Sequence, residues 1–335
     1  MAMTKTDTAN YRGQLFTTGA VETGFLRLIG NDFDPMTGLV SGAGTRARRV
    51  GAKQFATSVN YTPDAGAIPN LAEDDVVSSL TPTTKTATQT FNTVQLFQEV
   101  VGVSWFAGSQ ATGIASGINV NEPIVGVTSL AQQAAWHLQQ MAIDMDYTFI
   151  NGTYQADSTT ATAAKTRGLL SAISTNSVNA SSTAISQELI DELLVDMDGN
   201  GAQMQDMYLI ADANQIMKIN NIYGVAPRDR MVGGTGITQI VTPLGNILNI
   251  YRVRNMPTTS VAIIDRSVIR PVFLPITPEV LMATGTTDLS GVQFGDITWA
   301  KIGRAGASEQ GFWYSQAGLD YGPEVYHGEI TSLTA

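Results

Sequence analysis

An α+β fold is predicted for this chain, and three observations predict it. A single long amphipathic helix stands near the middle, β-rich stretches precede it and close the chain, and a segment between them alternates helix with strand. The helix is residues 129–150, SLAQQAAWHLQQMAIDMDYTFI, where Leu130, Ala134, Leu138, Met141, Met145 and Phe149 recur at spacings of three and four. Thr128 or Ser129 can cap its start and Asn151-Gly152 stops it. At about 1.5 Å per residue it reaches roughly 33 Å. From Thr83 to Phe106 the period changes to two. Phe97, Val101, Val103 and Trp105 share a face and Gln98 and Ser104 the other, although Glu99 intrudes on the apolar side. A compact α/β lobe begins near Ile185. It has a capped helix at 186–197, a strand at Met207–Ala211 and a helix at Asn214–Ile222. Strands follow at Thr238–Val241, Ile247–Arg254 and Val261–Asp265. Residues 290–335 return to β character, and Trp299, Phe312, Trp313 and Tyr314 there are expected to pack in a core.

The ends and connections are less regular. Residues 1–50 are expected to form an arm whose apolar patch, Gly24-Phe-Leu-Arg-Leu-Ile-Gly30, can anchor it on another surface. Residues 51–100 predict a long two-stranded projection. A lone hairpin is marginal in water, so one this long is expected to lie on a neighbour. Residues 153–184, rich in Thr, Ala and Ser, are expected to be a loose connection.

Composition narrows the function. Charged residues make up 14% of the 335, against roughly 25% in an average soluble domain, which suits a chain that gives much of its surface to neighbours. The net charge is −10, so the chain has no cationic surplus with which to grip phosphates, and DNA near it would be confined and not tightly bound. With no cysteine, thiol catalysis, disulfides and zinc ribbons are excluded. The only histidines, His137 and His327, make a multi-histidine metal site improbable. The start, MAMTKTDTANYRGQL, has no apolar signal-peptide core, and runs such as Val100–Phe106 are too short to span a bilayer. The chain is therefore expected in a cytoplasm and away from membranes.

Motifs for chemistry fail on inspection. Asp196-Met-Asp-Gly-Asn-Gly201 matches the opening of a calcium loop, but Met207 stands where the bidentate Glu should be, so a helix end with a glycine turn is the preferred reading. Gly233-Gly-Thr-Gly236 lacks the Lys and Ser/Thr of a phosphate loop. No nucleophile elbow and no His-Glu-x-x-His pair occurs. Catalytic, cofactor and metal residues are accordingly expected to be none, and the chain is read as a non-enzyme. Charge is polarised instead. Arg46, Arg48, Arg49 and Lys53 lie together, and Glu73, Asp74 and Asp75 follow some way on. The two clusters are expected to meet across subunit interfaces, with a solvated surface of no role as the alternative.

Several stretches in this order resemble a known family. They are Gly24-Phe-Leu-Arg-Leu-Ile-Gly30, Val101-Gly-Val-Ser-Trp-Phe-Ala-Gly-Ser-Gln110, Asp146-Tyr-Thr-Phe-Ile-Asn-Gly152 and Thr166-Arg-Gly-Leu-Leu170, with Thr242-Pro-Leu-Gly-Asn-Ile-Leu-Asn-Ile250 and Ala262-Ile-Ile-Asp265 in the lobe. The chain is similar to the major capsid proteins of tailed bacteriophages, of the Hong Kong 97-like fold, and in particular to the podovirus-type family with elongated heads. It departs in a spine helix richer in Gln and Ala than the family usually shows. The resemblance implies an N-terminal arm (1–50), an extension loop (51–100), a peripheral domain with the spine helix (101–184), an axial domain (185–275) and C-terminal strands returning to the peripheral domain (276–335). It further implies pentamers and hexamers closing an icosahedral virion shell around DNA, with portal, scaffold and decoration proteins as partners and no cofactor. The competing readings are a nanocompartment shell of the same fold around protein cargo, and a β-rich hydrolase, for which no catalytic constellation is present.

Overall fold

The computed structural model describes residues 22–30, 46–61, 63, 66, 84–105, 130–156, 163–223, 237–283, 290–304 and 306–334. The expected helix is present as α2, Leu130–Asn151. It follows the short α1, Gly24–Gly30. The later helices are α3 (Leu169–Ala172), α4 (Gln187–Gly199), α5 (Ala213–Tyr223) and α6 (Pro278–Ala283). On α2 the predicted stripe of Ala134, Leu138, Met141, Met145 and Phe149 is buried, and Ala142, Asp146 and Ile150 are buried with it.

Two six-stranded sheets flank that helix. In the first, β1 (Arg48–Arg49), β10 (Arg270–Phe273), β13 (Ser308–Asp320), β12 (Ile297–Arg304) and β11 (Val292–Gln293) follow in spatial order, and β4 (Gln95–Ser104) pairs with β13 as well. In the second the order is β5 (Ser177–Asn179), β14 (Gly328–Thr331), β9 (Val261–Asp265), β6 (Met207–Ala211), β8 (Ile247–Arg252) and β7 (Gln239–Val241). Strands β2 (Gln54–Asn60) and β3 (Thr88–Thr93) form a separate antiparallel hairpin.

The second sheet is covered on both faces, which explains why Val261-Ala-Ile-Ile-Asp265 reads as an unbroken run with no alternation. Ala262 and Ile264 join the core around α2, while Val261 and Ile263 face the core beneath α4. The first sheet alternates because only one face meets the helix. Along β4, Phe97 and Val101 are buried and Leu96, Gln98 and Val100 are exposed. Glu99, the residue that broke the pattern, ends half-buried with its Oε2 3.0 Å from His137 Nδ1 on α2. The aromatics of β12 and β13 are not the closed core expected from sequence. Trp299 and Trp313 lie 4.8 Å apart and half-buried, and Trp313 Nε1 donates to the Ala134 carbonyl at 2.7 Å. They line the seam between sheet and helix, where an indole N–H can still find an acceptor.

Two segments are more tightly held than the sequence implied. The patch at Gly24–Gly30 docks on its own subunit, with Phe25, Leu26 and Ile29 fully buried. Residues 166–168 press against the end of α2 so closely that a Cβ at Gly152 would lie 2.7 Å from the Thr166 carbonyl oxygen, and Gly168 N donates to the Gly152 carbonyl at 2.9 Å. Only glycine allows that approach, which accounts for both glycines in these motifs. The glycine turn after α4 is a helix end, as preferred, with Asn200 N bonded to the Asp196 carbonyl. Gly233–Gly236, Thr128 and Ser129 lie outside the described residues.

Two buried titratable groups hold this core together. Asp146 accepts the Leu26 N–H and the Asn255 amide, both at 2.7 Å, and so ties α1 and the loop after β8 to α2. Burial outweighs these bonds and pushes its pKa up from 3.8 to about 6. His327, for which the sequence offered no partner, is fully buried. Its Nδ1 accepts the Asp265 N–H at 3.2 Å and its Nε2 donates to the Tyr321 carbonyl at 2.7 Å. Burial pushes its pKa down from 6.5 to about 4.

These shifts oppose one another in acid. The stability tied to neutral His327 is complete above its unfolded pKa of 6.5 and is lost as pH falls toward 4, a loss of about 3 kcal/mol. Asp146 binds its proton first in the folded state, so its site adds stability as pH falls from about 6 toward 3.8, again by about 3 kcal/mol. The whole subunit should therefore change little in stability from these two sites across that range. Urea unfolding at pH 7.5 and 4.5 should show Asp146→Asn losing far more stability on acidification than the parent. His327→Gln should lose less. Parallel pH profiles for all three proteins would show that neither group titrates as its burial requires.

Candidate functional site at the hairpin base

The hairpin is anchored by one asparagine. Asn92 is fully buried, and its Nδ2 donates to the carbonyls of Leu319 (2.8 Å) and Arg167 (3.1 Å). Its Oδ1 accepts the N–H groups of Arg167 (2.8 Å) and Thr93 (2.9 Å). All four hydrogen-bonding positions of the amide are used, so the root of β3 is locked to β13 and to the strap at residues 166–168. On β2, Phe55 packs with Val94 and Val272. Beyond this root the hairpin leaves the body. A bulge separates Ala56 from Ser58, and Val59, Tyr61 and Phe91 are 65%, 52% and 43% exposed.

The arginines expected to reach a neighbour already have partners in their own chain. Arg48 Nη1 lies 3.0 Å from Asp320 Oδ2 and 2.8 Å from the Ala56 carbonyl, so it joins body to hairpin. Arg270 Nε shares the same carboxylate oxygen at 3.1 Å. Arg49 forks onto Asp296 through Nε (2.7 Å) and Nη2 (2.9 Å). The bonds and charge of Asp296 raise the Arg49 pKa further above its ordinary value. Both acceptors are buried, with the Asp320 and Asp296 side chains 1% and 2% exposed. Arg46 donates to the carbonyls of Arg266 and Ser267. Burial, and then the Arg266 charge, lower its pKa. Lys53 lies in the turn before β2, where its carbonyl accepts Val94 N at 2.9 Å. Glu73, Asp74 and Asp75 lie outside the described residues. The residues that reasoning from sequence missed are Asn92, Arg270, Asp296 and Asp320. No local signal marks them, because the partners that place them, Leu319 for Asn92 and the arginines for the two aspartates, are 50 to 272 positions away.

This anchored projection sits on a fold with known counterparts. The cyanophage A-1(L) capsid protein superposes with a TM-score of 0.67 at 10% identity, covering 98% of this chain and 97% of that one. A native GTA particle capsid gives 0.55 at 12% identity, covering 100% and 96%. The SrpI encapsulin of Synechococcus elongatus PCC 7942 gives 0.51 at 11% identity, covering 86% of each chain. At such identities these likenesses establish the Hong Kong 97-like fold alone. A sequence search of curated proteins found no match. A family model described as SU10 major capsid protein matches residues 2–334. This chain belongs to the SU10 major capsid protein family.

As a major capsid protein it is a structural component of the phage head and assembles with copies of itself. Its described residues contain no cluster of His, Asp and Glu able to hold a metal ion, and no helix among them is long and apolar enough to cross a membrane. Among the ionic groups at the hairpin base, Arg48 ties the body to the hairpin through the Ala56 carbonyl, while Arg49, Arg270 and Arg46 bind groups within the body.

Reversing Arg48 and Arg49 together, Arg48→Glu with Arg49→Glu, should therefore damage the capsid subunit itself. Two buried carboxylates would lose a partner and gain a like charge. The expected loss is on the order of 2 kcal/mol per site, below the usual range for a broken buried pair because both guanidiniums reach solvent. Thermal melting of the unassembled variant reads this directly. An unchanged melting temperature would return these arginines to a purely inter-subunit role.

Proposed function

We propose that this capsid protein is the repeating subunit of an icosahedral head, forming pentamers and hexamers that close around double-stranded DNA. Each subunit lays its hairpin on a neighbour. In this reading residues 51–100 are the extension loop, residues 101–184 and 276–335 build a peripheral domain, and residues 185–275 an axial domain. Portal, scaffold and decoration proteins complete the head. The observation that carries it is the hairpin: two strands rooted by Asn92, with Val59, Tyr61 and Phe91 turned to water. Such a ribbon has too little of its own core to be stable alone and gains it by lying on another surface. The net charge of −10 suits a container whose cargo must leave again.

The purified 35.6 kDa chain should form rings or closed particles by electron microscopy and sedimentation, alone or with a scaffold. A single monomeric species at high concentration under both conditions would count against assembly through the hairpin. Native particles should protect double-stranded DNA from nuclease; particles filled with protein would favour the nanocompartment reading. Lys53 and Lys85 are the lysines of the 51–100 loop. No isopeptide chemistry is expected of them, so boiled particles should run as single chains in SDS, and a ladder would refute that.

A further inference from the structure

The seat of α1 is closed by a buried carboxyl group. α1 rests on α2 and β10 with Phe25, Leu26 and Ile29 fully buried. The first turn of a helix has amide donors with no partner inside the helix. Asp146, itself fully buried on α2, supplies the acceptor. Its Oδ1 takes the Leu26 N–H at 2.7 Å, and the carboxyl group also bonds the Phe25 N–H. Its Oδ2 takes the Asn255 amide at 2.7 Å. The charged side chains on the elements around it are Arg27 on α1, Asp144 on α2, Arg252 and Arg254 at and after the end of β8, Arg266 after β9 and Arg270 on β10. None of them offsets its charge. Burial raises its pKa to about 6, and only the hydrogen bonds from Leu26, Asn255 and Phe25 pull it down.

We propose that Asp146 makes the docking of α1 a proton-controlled latch, which grips the segment firmly when the carboxyl group is neutral and loosely when it is ionised. The neutral acid keeps a carbonyl oxygen for the Leu26 N–H. A half-turn of the Asn255 amide presents its own oxygen to the acid O–H, so the junction stays bonded in both forms. With α1 lifted, Asp146 opens to water and regains its ordinary pKa of 3.8. The docked form therefore binds the proton more tightly than the lifted one. The added grip is complete below pH 3.8 and is lost as pH rises through 6. Between pH 5 and pH 7.5 the docking equilibrium changes by about tenfold. Lifting frees the apolar face of Phe25, Leu26 and Ile29, the patch that reads as an anchor in the sequence. The inference is independent of the assembly reading, because the unassembled subunit tests it.

Hydrogen exchange of a peptide covering residues 24–30 reads the latch, once corrected for the intrinsic pH dependence of exchange. In the parent subunit its protection should be about tenfold higher at pH 5 than at pH 7.5. Asp146→Asn is neutral at both values and should give equal protection at both. Gly24→Val shows the lifted state. A Cβ at Gly24 lies 3.1 Å from the Arg252 carbonyl oxygen, so the larger side chain has no room against that backbone. This variant should lose protection in the peptide at both pH values while β9 and β13 stay protected. Equal protection of the parent at the two pH values would overturn the latch, and that profile decides alone if Asp146→Asn does not fold. A parent-like rise in Asp146→Asn, or loss of protection throughout the subunit in Gly24→Val, would overturn it too.

Discussion

The backbone of β13 has to satisfy its polar groups away from water over thirteen residues, Ser308–Asp320. It does so on both edges. Strand β4 pairs along residues 308–317, β12 along 309–315 and β10 along 317–320. That ladder brings together chain segments far apart in sequence and sets the plane on which α2 rests. It also fixes the position of Asp320, the last residue of the strand, whose carboxylate then gathers Arg48 and Arg270. The hairpin inherits its direction from this ladder, because Asn92 bonds to the Leu319 carbonyl. A change in the register of β13 would move helix, arginines and hairpin together.

Polar groups at the core perform a second task, which is to join layers that hydrophobic contact alone would leave free to slide. Asp146 binds the N-terminal α1 to α2, and His327 links the turn after β13 to β9 of the other sheet. Arg266 adds a further tie, donating to the Leu28 carbonyl at 2.8 Å. Directional bonds of this sort specify one arrangement among several of similar apolar burial. A subunit that must present identical faces to several neighbours depends on that uniqueness, since an error in one angle is repeated around the shell.

The surface left over is consistent with a life among copies. Charged side chains are scarce, and several of the arginines described are occupied internally with buried acids. What remains outside includes apolar hairpin residues and the uncovered face of β4, with Leu96 and Val100 each more than half exposed. Arg48 and Arg49, which reasoning from sequence assigned to neighbouring subunits, bind Asp320 and Asp296 of their own chain, while Glu73, Asp74 and Asp75 lie outside the described residues.

Periodicity by itself determined the elements whose signal is local. The stripe on α2, the capped α4 and the strands β6, β8 and β9 all follow from spacing along a few turns or residues, and the structure keeps them within a residue or two, β8 ending two residues early; the alternation of β4 holds at Phe97 and Val101 but fails at Trp105, which lies past the strand and is exposed. The family was legible in the same way, from short motifs in a fixed order. Only the tertiary structure decided where isolated polar residues went. Nothing near Asn92, Asp320 or His327 in sequence announces Leu319, Arg48 or Asp265, because strand pairing delivers those partners from distant segments. The patch at Gly24–Gly30 reads equally well as an anchor on another surface or on its own. Which one it meets depends on whether α2 presents Asp146 to it, and that is set by the packing of the whole subunit. Arg48 and Arg49 likewise read as a surface cluster until β1 pairs with β10 and carries them to two buried carboxylates.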